Sequence, residues 1–445
     1  MTYGMLRHFR IPVLVVGVGL LSIVGCDLDP SNPNNPSEEQ VLTTSEGIRT
    51  LTVGMQELYA TSALGTTITT TGVTSREIAV NTTFANLVEL EDGGTGGDLS
   101  SSNASVEQIW SVNYRVVGTA EDVIENAPNV QLTEGTESGV VATARLFKAM
   151  ALGNIAAAFE QGATTTTREG NAAFVSRQEV LQEAVNQLDS ALSTINSTSP
   201  SDDFRNNILA SGLDLRNTIH AYRARFNLFA GNNQAAIDAA NQVDPSVQSV
   251  FQYDDQSQNP IWDAVIQSEN FAPRDSFGTR LTEPGDSRIG FFTSSLDTLS
   301  TPSEFPIDAI DVFTSSSSPF PLYVPGELSL IRAEAKLNQE ATLGEVIDEI
   351  DAVRTKTPEE DPFGIGADLD SYNGPETEAA LRTEILRQRR AELYLQGLGL
   401  PDSRRLGSEV SNRDDPGPFE RSRNFYPSPD QERRNNPNTP ESPAF

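Results

Sequence analysis

The chain holds a single cysteine, Cys26, in 445 residues, so no intramolecular disulfide can form. Histidine is almost as scarce. Of His8 and His220 only the second lies beyond the N-terminal apolar run; a histidine-rich zinc site is excluded, and a Ser-His-Asp triad would have only His220 to use. His220 falls mid-helix and reads as a structural histidine. No P-loop, G-x-G-x-x-G or G-x-S-x-G sequence occurs, and no lysine stands where it would meet phosphates. The glycine clusters at 93–97 and 364–366 read as turns. Positive charge is short overall, with 31 basic against 62 acidic residues and a net charge of −31, which excludes nucleic acid or anionic lipid as partners of the bare surface. Among so many acids a pair of carboxylates carries almost no information about glycosidase chemistry. Asp361, Asp368 and Asp370 offer oxygens to calcium, but the EF-hand spacing is absent and the stretch reads as a solvated loop. Catalysis has no visible foothold, so the sequence reads as a non-enzyme without cofactor or metal.

Lysine is the rarest cation: Lys148, Lys336 and Lys356 stand against 28 arginines. Acid excess with little lysine suggests a protein that works in high salt, where self-repulsion is screened over a few ångströms.

Long apolar runs are also few, and one is informative by its place. After MTYGMLRHFR, with Arg7 and Arg10 as a basic start, comes IPVLVVGVGLLSIVG and then Cys26. The run is short for a membrane span and reads as a secretory core. Ile23, Val24, Gly25 and Cys26 resemble the bacterial lipobox, which makes residues 1–25 a lipoprotein signal peptide and Cys26 the lipidated first residue of the mature chain. Loss of residues 1–25 removes two arginines and no acid, taking the net charge to −33. Each buried methylene contributes about 0.8 kcal/mol, so a multiply acylated cysteine would hold the protein firmly. Residues 26–45, opening CDLDPSNPNNPSEEQ, are too polar and proline-rich to pack and read as a lipid-anchored flexible tether.

What remains, residues 46–445, is dominated by helical periodicity. Val106, Ile109, Val112, Val116, Val117, Ala120 and Ile124 mark one stripe over 105–126. Helix pairs follow near 137–196, 215–243 and 322–357, with a further helix at 377–398. Gly231 and Asn232 break the second pair, and Pro325 opens the third. Small residues on the first helix of each pair resemble tetratricopeptide-type packing, spaced too widely for a continuous solenoid. Between the second and third of these pairs lies a long irregular region, 246–321, with Tyr253, Trp262, Phe271, Phe277, Phe291 and Phe292. Loops of this length in a compact domain are usually functional.

Near the C-terminus, ILRQRRAELYLQGLGLPDSRRLG at 385–407 resembles the SusD/RagB family of outer-membrane nutrient-binding lipoproteins, whose pattern is an E-R-x-x-E-L helix followed by E-G-x-R and D-L-x-R. Arg389, Glu392, Leu393, Gly397, Asp402 and Arg405 match, whereas Gln388 and Gln396 replace glutamates and Gly399 an arginine. Pro429, Glu432, Asn436 and Pro437 are similar to the family's closing pattern. Trp110 and Tyr114 match its W-x-x-x-Y helix, with Glu121 in place of an asparagine, and Asp286 to Arg288 resemble its D-P-R turn. Residues 145–163 resemble its first repeat helix.

The resemblance implies a mainly α, single-domain SusD-like fold, in which tetratricopeptide-like helix pairs form a scaffold and irregular insertions build a ligand face. It implies no chemistry, but capture of an oligosaccharide or peptide, glycan more than peptide, and delivery to a SusC-like TonB-dependent barrel transporter, with the protein lipid-anchored at the outer membrane and facing the cell surface. Sugars would stack on aromatics and bond to planar amides and carboxylates. Trp262 and Tyr253, in FQYDDQSQNPIWD, are the candidate stacking residues, with Arg274 and Arg280 as polar contacts. Arg389, Glu392, Gly397, Asp402 and Arg405 read as a structural network, and Trp110 as core. The alternative is a lipid-anchored helical-repeat scaffold for envelope protein assembly, which needs no small ligand.

Overall fold

The computed structural model describes residues 38–92, 99–274, 283–302, 305–407 and 421–443. Cys26, the signal segment, the first part of the tether and Arg280 lie outside the described residues. A helical turn already stands at Glu38–Leu42, ahead of the tether's expected end at 45.

Helix α1 (Ser45–Leu58) starts where Thr44 accepts a hydrogen bond from the Gly47 amide, and runs through a π-helical turn at Tyr59–Ala63 into α2 (Leu64–Thr74). Both pack on α3 (Ala104–Asn126), whose first turn is capped by Asn103. Next comes α4 (Glu134–Ala158), apolar almost all round and long enough by composition to cross a membrane; it is instead the central core helix, held between α3 and α5 (Arg177–Ser197). Glycines on α4 let two further segments, the short helix Asp202–Asn207 and the helix Leu215–Phe229, approach it closely. A Cβ at Gly139 would sit 2.3 Å from the Phe204 ring, and one at Gly153 2.1 Å from that of Phe226.

The pairs continue as α6 (Leu215–Phe229) with α7 (Asn233–Ala240), turned at Gly231 with φ +80°, and α8 (Pro325–Asn338) with α9 (Leu343–Arg354). Their boundaries follow local chemistry: Asp214 caps α6, Pro325 occupies the first turn of α8, and Thr342 with Glu345 forms a capping box at α9. Helix α10 (Glu378–Glu392) lies on α8 and α9, and α11 (Gly399–Leu406) follows after a turn with Leu395 and Gly397 at positive φ. Among the described residues the architecture is mainly α, with successive helices stacked in chain order.

The region expected to be irregular, 246–321, is ordered by short antiparallel strands, one pair of which ties it to the body. β1 (Ile78–Val80) pairs with β5 (Phe271–Pro273), β4 (Val250–Phe251) with β8 (Phe320–Pro321), and β6 (Thr293–Ser300) with β7 (Pro306–Ile310); β2 (Gln161–Ala163) and β3 (Phe174–Ser176) join α4 to α5. Phe251, Tyr253, Phe271, Phe292 and Phe320 are buried. More than half of the described aromatics in this region therefore fill the core, because burying a ring there is favoured by about 1.5–3 kcal/mol.

Candidate ligand groove and the buried charge network

The C-terminal motif is a chain of buried ion pairs. Arg389, with no exposed surface, donates from Nε and Nη2 to the two oxygens of Asp402 at 2.8 and 3.0 Å. Asp402 also accepts from Arg405, whose guanidinium forks onto Glu334 at 2.7 and 2.8 Å. On the other side of α10, Glu392 accepts from Arg288 at 3.1 Å and from Lys356 at 2.7 Å. Burial opposes the Lys356 charge, yet Glu392 and Asp361 hold its pKa above the ordinary lysine value. Arg288 is completed by both oxygens of Asp286 and by Gln388.

Gln388, a departure from the family pattern, has a physical reason. Its carbonyl accepts from Arg288 while its amide donates to Glu384 at 2.8 Å, and a glutamate at this place could do only the first. The departure at Gly399 is steric: a Cβ there would lie 2.5 Å from a Glu77 oxygen and 2.7 Å from Arg390, which together fill the space. At Gly326 a Cβ would lie 1.9 Å from the Glu392 carboxylate, so the start of α8 is built against that acid. These bonds join α8, α10, α11, the segment just after α9 and the start of the short helix Ser287–Phe292. Trp110 is likewise interior: its ring lies parallel to Phe174 with centroids 5.6 Å apart, and Nε1 donates to Glu432 of the closing motif at 3.2 Å.

The described surface has a groove of about 320 Å³ between α1, the turn at 206–211 and the strand-to-loop segment 251–257. Val53, 43% exposed, and Ala60 give it an apolar floor; Glu57, Asn206, Asn207 and Gln252 bring a carboxylate and planar amides. Its rim is pinned. Asp254 accepts from the Gln256 and Ser257 amides, and Ser257 Oγ donates to Glu57 at 2.9 Å. Hydrophobic floor and planar hydrogen-bonding groups together suit a polyhydroxylated ligand.

The sequence candidates are dispersed around this groove. Tyr253 lines its wall but is buried, with its hydroxyl donating to the Ala60 carbonyl at 3.0 Å and burial pushing its phenol pKa up. Its ring is therefore a wall element, and a free stacking face is not what it presents. Trp262 is half-buried in a short helix, Pro260–Trp262, capped by Asn259; that helix packs on the π-turn Tyr59–Ala63, which also carries Ala60. Arg274 lies away from the groove: it is buried, with its guanidinium 3.9 Å over the Phe305 ring and its backbone N–H donating to Glu77. An arginine stacked this way is a packing element first. Glu57, Asn206 and Asn207 went unnoticed because nothing local distinguishes a helix-surface glutamate from one beside a cavity. The Asx turn at Asp254 was the single legible signal. His220 is half-buried beneath Arg216 and Arg223; burial and these two cations lower its pKa to about 4, and its Nδ1 has no hydrogen-bond partner among the described residues. Among the described residues no cluster of three or more ligating side chains could hold a metal ion.

No family model matches the chain, and no curated protein matches it by sequence. Solved structures do match. A SusD-like carbohydrate-binding protein from Bacteroides vulgatus is 14% identical and superimposes with a TM-score of 0.66 over 88% of this chain and 96% of its own. A SusD superfamily protein from Bacteroides thetaiotaomicron gives 15% and 0.66 over 90% and 100%, and a SusD/RagB family protein from the same species 15% and 0.66 over 88% and 94%. At this identity the likeness speaks for the fold. With its helix pairs, its buried C-terminal network and this match along nearly the whole length, the chain has the SusD-like fold.

Proposed function

We propose that the protein is a lipoprotein of the SusD/RagB family that binds oligomeric nutrients, glycan more than peptide, at the outer-membrane surface and delivers them to a SusC-like TonB-dependent transporter. The observation that carries the reading is the match of fold over nearly the full length to structures described as SusD-like carbohydrate-binding proteins. The groove supports it with a carboxylate and several amides set over an apolar floor. Arg389, Glu392, Gly397, Asp402 and Arg405 have structural roles in this reading, and ligand contact falls to the groove and to Trp262, on the short helix packed against the turn that carries Ala60. A tether from Cys26 would keep the domain at high effective concentration over its partner while leaving it free to swing. The protein makes and breaks no bond, and energy for uptake enters through the transporter.

Two measurements test this reading. Trp262→Ala should weaken glycan binding about tenfold, the loss of roughly 1.4 kcal/mol of stacking, with little change in melting temperature. A large drop in melting temperature with unchanged affinity would make the residue a packing element. Cys26→Ser should move the protein from the membrane fraction to the soluble fraction after cell lysis. Retention of the variant in the membrane would remove the lipid anchor from the proposal.

A further inference from the structure

The groove does not end at the turn over residues 206–211. On the far side lies a second cavity of about 410 Å³, bounded by the end of α5 and the start of α6, and the two share Leu209, Ala210 and Ser211 as a common wall. This wall is a fixed ridge. Gln56, 3% exposed, donates from Nε2 to the Ile208 carbonyl and accepts from the Ala210 amide, both at 2.8 Å, and Gly212 accepts from the Val250 amide at 3.0 Å. Gly212, at φ +83°, holds a turn that a side chain would strain, and its Cβ would lie 2.8 Å from Val250. Two compartments on either side of a rigid ridge are preformed, which lowers the ordering cost of a ligand that crosses it.

Their chemistries differ. The first carries Glu57 and Asp254 with amides, whereas the second is lined by Arg205 and Arg216. Arg216 donates to the neutral Asn196 carbonyl at 2.8 Å. Arg205 pairs with Asp202 at 2.9 Å, in a solvent-exposed geometry that an incoming anion can displace at little cost. Asp214, the acid that lines this compartment, is occupied in accepting the Asn217 amide at the start of α6.

We infer that the groove is bipartite and selects an anion-bearing oligosaccharide, with a neutral unit in the first compartment and a uronate or sulfate unit in the second against Arg205 and Arg216. This rests on the glycan reading above. On a protein of net charge −31 the general surface potential opposes anions, so a preference for one has to come from a local site. Charge-assisted bonds from a guanidinium fork supply it.

The test is calorimetric binding of tetragalacturonate, a chondroitin sulfate tetrasaccharide and maltotetraose to the whole mature protein and to the R205Q/R216Q variant, whose exposed side chains leave the core untouched. At least one anionic tetrasaccharide is expected to bind about tenfold more tightly than maltotetraose, with that advantage lost in the variant while maltotetraose binding is unchanged. If a tetrasaccharide binds, and the variant binds each one as the wild type does, the bipartite assignment is overturned and glycan capture stands. If none of the three binds the wild-type protein, both fall together.

Discussion

Replacement of Glu392 by alanine is expected to destabilise the protein by about 3–5 kcal/mol, read as a lowered midpoint in chemical denaturation. The carboxylate has no exposed surface and serves two cations that belong to different segments, Arg288 at the start of the short helix Ser287–Phe292 and Lys356 after α9. Arg288 retains Asp286 and Lys356 retains Asp361, yet each then carries positive charge into a space that water reaches poorly. A second loss is mechanical: the start of α8 at Gly326 packs directly on this side chain, and its removal opens a cavity there. Arg382→Ala is the control. Its pair with Glu378 is exposed, and such i,i+4 pairs contribute only about 0.3–0.5 kcal/mol. Equal costs for the two substitutions would show that the buried network does not hold these helices together.

Transfer from molar to millimolar salt is expected to lower the melting temperature by about 10 °C, the equivalent of a few kcal/mol at 2–4 °C per kcal/mol. Ten buried basic residues are matched by ten buried acidic ones among the described residues, so the interior is close to neutral and the excess negative charge sits at the surface. Two unit charges 30 Å apart in water repel by only about 0.14 kcal/mol, but an excess of 31 makes several hundred such pairs. Unfolding relieves part of this by moving the charges apart, and salt achieves the same by shortening the screening length from about 30 Å at 0.01 M to about 3 Å at 1 M. A melting temperature independent of salt would remove the reading of an acid-rich surface suited to brine.

Local order was well written in the chain. Helices α6, α8 and α9 start at Asp214, Pro325 and Thr342 because a cap or a proline acts within one turn, and the turn at Gly231 needs only its own left-handed backbone. That the arginines of 385–405 would pair with acids was legible, because five of them fall in this stretch of a very acidic protein. Which acid each would meet was not. Glu334 lies 71 residues from Arg405, and Glu392 lies 104 from Arg288.

The same limit explains the site. FQYDDQSQNPIWD shows two aromatic residues of equal promise, but Tyr253 reaches 193 residues back to the Ala60 carbonyl and is buried there, while Trp262 stays half-exposed on a short helix. Arg274 was plausible as a polar contact until Phe305 took its guanidinium face. Nothing near Glu57 or Asn206 in the chain announces that a cavity separates them. Helical periodicity and caps depend on neighbours within a few positions, and the amino-acid order alone determined them. Which rings are inside, which charges pair and where a groove is left open depend on segments that meet only after long loops close, and the tertiary packing alone decided those.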